Sequence, residues 1–121
     1  MLSLGNTTRV FLAAGATDMR KGFEGLFALV KERLAQDPLS GHLFVFCNRW
    51  KTRLKVLYWD GSGLWICAKR LERGRFAWPT ELEQEPRGGL QLSPGQWTLL
   101  IEGIDLQKTR PRRWYRSEKT G

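Results

Sequence analysis

The sequence predicts an α+β fold: a mainly antiparallel sheet of about five strands, two helices packed on one side of it, and a basic C-terminal tail. Three observations carry this. The patterns run strand, helix, three or four consecutive strands, helix. Apolar residues recur at helical spacing from Met19 to Leu34, and two strands flank a hairpin turn at Asp60–Gly63, the first with its side chains alternating between two faces. At 121 residues the chain is one domain, residues 1–107, followed by the tail, residues 108–121. Helices confined to one side would leave the other face of the sheet free for a ligand or partner.

"RVFLAAG" (Arg9–Gly15) is a short apolar run with a glycine stop, an opening strand. Thr17 and Asp18 offer oxygen caps to the helix that follows. Its apolar face is Met19, Phe23, Leu26, Phe27, Val30 and Leu34, with Arg20, Lys21, Glu24, Lys31 and Glu32 elsewhere on the cylinder. Gly22 and Gly25 each cost about 1 kcal/mol relative to Ala, a cost that close packing against a sheet would offset. "DPLSG" (Asp37–Gly41) ends the helix, since the residue before Pro38 disfavours helical geometry.

"HLFVFCN" is apolar on both faces, as a central strand would be. In "TRLKVLYWD", Arg53, Lys55, Leu57 and Trp59 share one face while Leu54, Val56 and Tyr58 share the other. "DGSG" is a hairpin turn, "LWICAKRLE" the returning strand, and "FAWP" a brief strand that Pro79 places at an edge. The acidic "TELEQEP" (Thr80–Pro86) reads as an exposed loop, and "LQL" adds a short strand. Ser93 as cap, Pro94 at the first position and Gln96 three residues after Ser93 start a second helix, with Trp97, Leu100, Ile101 and Ile104 as its apolar face. After Asp105 the period is lost.

Twenty Lys and Arg against twelve Asp and Glu give a formal charge of +8, a field that attracts nucleic acid or anionic lipid. No apolar run approaches the ~18–20 residues that span a bilayer, so no membrane partner is expected. The N-terminus lacks the basic start of a secretory signal, which predicts a cytoplasmic protein with Cys47 and Cys67 as reduced thiols, nucleoid-associated if it binds DNA.

The cations are unevenly placed. Arg49, Lys51, Arg53, Lys55, Lys69, Arg70, Arg73 and Arg75 stand against only Asp60 and Glu72 over the same stretch. If the hairpin pairs around "DGSG", Arg53 and Lys55 lie beside Lys69 and Arg70, with Trp50, Trp59, Phe76 or Trp78 nearby. Cations contact phosphates and aromatic faces stack on unpaired bases. The plainer alternative is a Lys/Arg-rich solvent face with the aromatics turned inward. Lys108, Arg110, Arg112, Arg113, Arg116 and Lys119 form a second basic element in the tail, able to order along a phosphate backbone or to serve solubility alone.

Catalysis has little to build on. His42 stands alone on an apolar strand, and Cys47 and Cys67 have no companion pair for a zinc site. A two-metal nuclease needs converging carboxylates. Asp18 fits a helix cap, Asp60 a turn and Glu72 a counter-ion, so neither enzyme activity nor a cofactor is expected.

"TDMRKGFEGL" (Thr17–Leu26), "GHLFVFCNRWKTRLKVLYWDGSGLW" (Gly41–Trp65) and "KRLERGRFAWP" (Lys69–Pro79) closely resemble the TnpB-type accessory protein, the second reading frame, of bacterial insertion-sequence family sixty-six. The resemblance spans roughly Val10 to Ile104. It implies a non-catalytic helper in transposition of its element, with a separate large transposase as partner. The basic and aromatic positions in the matching blocks are Arg20 and Lys21, then Arg49, Arg53 and Lys55, then Lys69, Arg70, Arg73, Phe76 and Trp78. Together with Arg75 from the charge patch, these are the residues expected to contact DNA at the element ends or target. Cys47 and Trp50 depart from the basic or polar residues expected there. The alternative expectation is a protein–protein adaptor that binds the transposase without touching DNA.

Overall fold

A computed structural model of the chain describes residues 8–79 and 86–103. The acidic loop before Pro86, Ile104 and the tail lie outside the described residues. The elements are β1 Val10–Ala16, α1 Phe23–Glu32, β2 Leu43–Cys47, β3 Arg53–Trp59, β4 Leu64–Arg70, β5 Leu90–Leu92 and α2 Pro94–Glu102. The five strands form one sheet in the order β4-β3-β2-β1-β5. β1 and β2 run parallel, joined through α1, and the other pairs are antiparallel. The expected α+β class and mainly antiparallel five-stranded sheet hold.

The helices are placed differently from the expectation: they cover opposite faces. Val10, Leu12, Leu43, Val45, Leu54 and Val56 point to a core completed by Trp97 and Leu100 of α2. Phe11, Ala13, Phe44, Phe46 and Leu57 point the other way, against Leu26 and Val30 of α1 and Leu34 just beyond it. The reason is β2, whose five residues are all buried. A strand apolar on both faces needs cover on both faces, so the expected free face does not exist.

Two further expectations change for physical reasons. "FAWP" is not a strand: Phe76 is 2% exposed, Trp78 is 7% exposed, and both fill the core on the α2 side. The fifth strand is "LQL", which pairs with β1 at the far edge. It approaches so closely that a Cβ on Gly89 would sit 2.8 Å from the Leu12 carbonyl oxygen, at a φ of +87° that only glycine adopts easily. Asp18 does not cap α1 either. The helix begins after Gly22, which brings no side-chain hydrogen bond, while Asp18 holds its own turn by accepting from the Arg20 backbone N–H at 2.9 Å. Gly22 and Gly25 show no close approach to the sheet: a Cβ on Gly22 would meet nothing within 4 Å, and the nearest atoms to one on Gly25 belong to the Lys21 side chain.

The turn and the second helix form as their residues dictate. Asp60 Oδ1 accepts from the N–H groups of Ser62 (2.8 Å) and Gly63 (2.9 Å), and its Oδ2 accepts from Trp65 Nε1 at 2.7 Å. These donors, Trp65 first, hold the carboxyl below its ordinary range. At α2, Ser93 Oγ accepts from the Gln96 N–H at 3.1 Å, and Gln96 Oε1 accepts from the Ser93 N–H at 2.8 Å. This reciprocal cap makes Ser93→Ala a clean probe: it should cost about 1 kcal/mol, read as a lower urea midpoint with unchanged m-value. No measurable change would mean that α2 is anchored without its cap.

His42 has a structural position, its Nδ1 accepting from the Arg9 N–H at 3.0 Å, with burial and the Arg9 charge lowering its pKa. Cys47 is fully buried, and desolvation pushes its thiol up to about 12. Cys47 and Cys67 are both free thiols on the α2 side of the sheet.

Candidate nucleic-acid interface

The basic residues singled out from the sequence gather at one end of the sheet rather than on one face. β1 and β2 finish together there, with the Thr17 N–H donating to the Cys47 carbonyl at 2.8 Å. The 48–52 turn that leads into β3 lies at the same end, closed by the Asn48 N–H donating to the Arg53 carbonyl at 3.0 Å. β4 ends beside it. Its outgoing segment is tied to the turn by the Leu71 and Phe76 N–H groups, which donate to the Thr52 and Lys51 carbonyls, each at 2.8 Å. Arg20, Lys21, Arg49, Arg53, Arg70, Arg73 and Arg75 are exposed on these segments. The N-terminus of α1, which begins at Phe23 with no side-chain cap, faces the same end and adds the positive pole of its dipole.

The 48–52 turn presents its side chains on a rigid frame. Asn48 Oδ1 accepts from the Thr52 N–H (2.9 Å) and the Arg53 N–H (3.1 Å), and Nδ2 donates to Thr52 Oγ1 at 3.1 Å. Lys51 holds a left-handed φ of +60° at the tip. Trp50 projects outward, 66% exposed, with the Arg49 guanidinium 5.6 Å from the ring centroid in cation–π contact.

Between this turn and the 16–20 segment lies a cleft of about 880 Å³, lined on one side by residues 16–20 and on the other by Asn48, Arg49, Trp50, Thr52 and Arg53. It sits beyond the carboxyl ends of the one parallel pair, β1 and β2. Thr17, only 6% exposed, lines it, and its Oγ1 is buried without a hydrogen-bond partner. An unpaired buried hydroxyl costs on the order of 1–3 kcal/mol.

The residues named from the sequence divide into three groups. Arg49, Arg53, Arg73 and Arg75 stand exposed at this end, as does Lys21. Arg20, Arg70, Lys55 and Lys69 are there too, but each has an internal partner. Arg20 pairs with Asp18 at 2.7 Å, which draws the Asp18 carboxyl well below its ordinary range and raises the guanidinium. Arg70 pairs with Glu72 at 3.2 Å, and Lys55 Nζ donates to the Lys21 carbonyl at 2.9 Å. Lys69, on the α2 face opposite Leu54, donates to the Ile101 carbonyl at 2.7 Å and serves the C-terminal end of α2. Phe76 and Trp78 form the third group, and they are a correction. Both are interior, and Trp78 Nε1 donates to the Ala14 carbonyl at 3.1 Å, so neither ring is available to a base.

Trp50 and Thr17 were not among the residues expected to bind. Trp50 read as a departure from a basic pattern, although an aromatic flanked by Arg49 and Lys51 was the available signal. Thr17 gave none, because only the fold shows that its hydroxyl lacks a partner.

Arg53 and Arg70 are directly opposite one another across β3 and β4. Like charges in that register oppose folding by a few tenths of a kcal/mol, with Glu72 offsetting part of it. Arg53→Glu should therefore raise the melting temperature slightly while weakening polyanion binding. A fall in melting temperature would mean that the pair is not in repulsion.

Asp18 is engaged by Arg20, Glu72 by Arg70 and Asp60 by its own turn. Among the described residues no helix is long and apolar enough to cross a membrane.

The family model described as "IS66 Orf2 like protein" matches residues 8–111. The chain is 43% identical over 121 residues to uncharacterized protein y4hO of Sinorhizobium fredii (strain NBRC 101917 / NGR234), covering 100% of both chains. It is 38% identical over 102 residues to uncharacterized protein y4jC of the same strain, covering 84% of each. No solved structure matches.

Proposed function

The chain belongs to the IS66 Orf2-like family of transposition-associated accessory proteins, and we propose that it serves its insertion sequence by holding DNA, without chemistry of its own. The observation that carries this reading is the gathering of exposed arginines from three separate segments at one end of the sheet, beside the uncapped N-terminus of α1. Guanidinium groups spread over such an end match phosphates along a strand and fix position rather than sequence. The last described residue, Gly103, is also there: a Cβ on it would lie 2.7 Å from Leu71 and 3.5 Å from the Arg75 carbonyl oxygen. The six cations of the 108–121 tail therefore follow in sequence from the basic end.

The test is retention of element DNA by the full chain across a salt series. The expected result is tight binding at low salt that is lost steeply as salt rises, because counterion release drives such contacts. The adaptor reading keeps one supporting observation. β4 is an edge strand, and Trp65 on it is 54% exposed. Co-purification with the large transposase that survives nuclease and high salt, with no DNA retention at any salt, would favour the adaptor.

A further inference from the structure

We propose that the cleft between the 16–20 segment and the 48–52 turn takes an unpaired nucleotide, so that the protein prefers single-stranded to fully paired DNA. This rests on the DNA-holding reading above and narrows it to a substrate class. Four observations converge. The Trp50 ring is exposed and lines the cleft, while Arg49 beside it holds a cation–π contact. A base can lie on an aromatic face only when it is unstacked from its own neighbours, and every base has such a face. Arg49 and Arg53 stand at the wall of the same cleft, positioned for the phosphate on either side of a stacked base.

The third observation is Thr17, which lines the cleft and whose Oγ1, buried just beneath the surface, has no hydrogen-bond partner, so that rotation about its Cα–Cβ bond would be needed to present it to a ligand. A base edge carries donors and acceptors that a duplex commits to pairing, and an unpaired one could supply what the hydroxyl lacks. The fourth is size. The cleft, about 880 Å³ and open to solvent, has room for a single nucleotide, and duplex DNA is far too wide to enter it. Paired DNA would rest on the rim through the exposed arginines alone.

The experiment measures binding of the full chain to labelled oligothymidylate of about 20 nucleotides and to a duplex of matched length, at one low salt concentration. The wild type should bind the single strand more tightly. Trp50→Ala should weaken single-strand binding by about 5- to 150-fold, the loss of one stacked base, and leave duplex binding within about twofold. Trp50→Phe should restore part of the difference. Thr17→Val, which keeps the side-chain shape, should weaken the single strand by about 2- to 10-fold without lowering thermal stability. Equal affinity for the two probes, or an equal loss on both in Trp50→Ala, would overturn the cleft proposal and leave DNA holding intact. Failure to bind either probe would overturn both.

Discussion

Trp78→Ala is expected to cost about 3–5 kcal/mol of unfolding free energy. The side chain is 7% exposed and packs in the core with Phe76, Trp97 and Leu100. Its removal empties a large volume and deletes the hydrogen bond that Nε1 donates to the Ala14 carbonyl at 3.1 Å. A domain of this size holds roughly 5–15 kcal/mol in total, so the variant should melt far below the wild type or fail to accumulate. Urea unfolding is the measurement. The comparison with Trp50→Ala sharpens it, since truncating an exposed ring should move stability by no more than about 0.5 kcal/mol. If Trp78→Ala unfolded at the wild-type midpoint, the 76–79 segment would not be part of the core.

The second large effect is on binding. Arg49→Glu combined with Arg73→Glu should lower duplex affinity at ~100 mM salt by at least about 100-fold, because two phosphate contacts are replaced by two repulsions. The two residues come from different segments of the basic end, and neither has an acidic partner among the ion pairs formed by Asp18 and Glu72. The control is Lys31→Glu with Arg87→Glu. Each reversal removes two charges, so both double variants fall from +8 to a formal +4. Lys31 is in the last turn of α1, and Arg87 precedes Gly88, whose carbonyl accepts from Gln36 beyond that helix. Both are exposed, and Arg87 leads into β5, at the opposite edge of the sheet from β4. The control should lose only a few-fold, through the general field. Equal losses would assign the effect to net charge instead of to place.

Most strands were legible because each carried its own local signal. The alternation in "TRLKVLYWD" separates Leu54 and Val56 from Leu57, and the two sets do enter opposite cores. Asp60 and Ser93 act through side-chain oxygens on backbone a few residues away, so their turn and cap could be read from the sequence alone. Pairing between distant strands could not. Nothing local says that β1 pairs parallel with β2 on one side and with the three-residue β5 on the other. The clue to helices on both faces was present in "HLFVFCN", whose apolar character on both sides requires two covers.

At the candidate site the charge pattern identified the right stretch but not its geometry. Lys69 and Arg70 are sequence neighbours on opposite faces of β4, and only Arg70 faces Arg53. Lys69 is taken up by the Ile101 carbonyl, a partner 32 residues away that no local reading finds. Phe76 and Trp78 were drawn to the surface by their basic neighbours, although aromatic area drives burial as strongly as it drives stacking. Asp18 looked like a cap because it precedes a helix, yet its closest partner is Arg20 two residues on.

The most direct test of the basic end as a polyanion surface is the dependence of duplex affinity on salt for the wild type, Arg49→Glu with Arg73→Glu, and the control double variant. The wild type should give a straight line of log affinity against log salt. Each lost phosphate contact should flatten the slope by about 0.9, so the Arg49 and Arg73 variant should be shallower by roughly 2, while the control keeps the wild-type slope. Identical slopes for all three proteins would contradict the account.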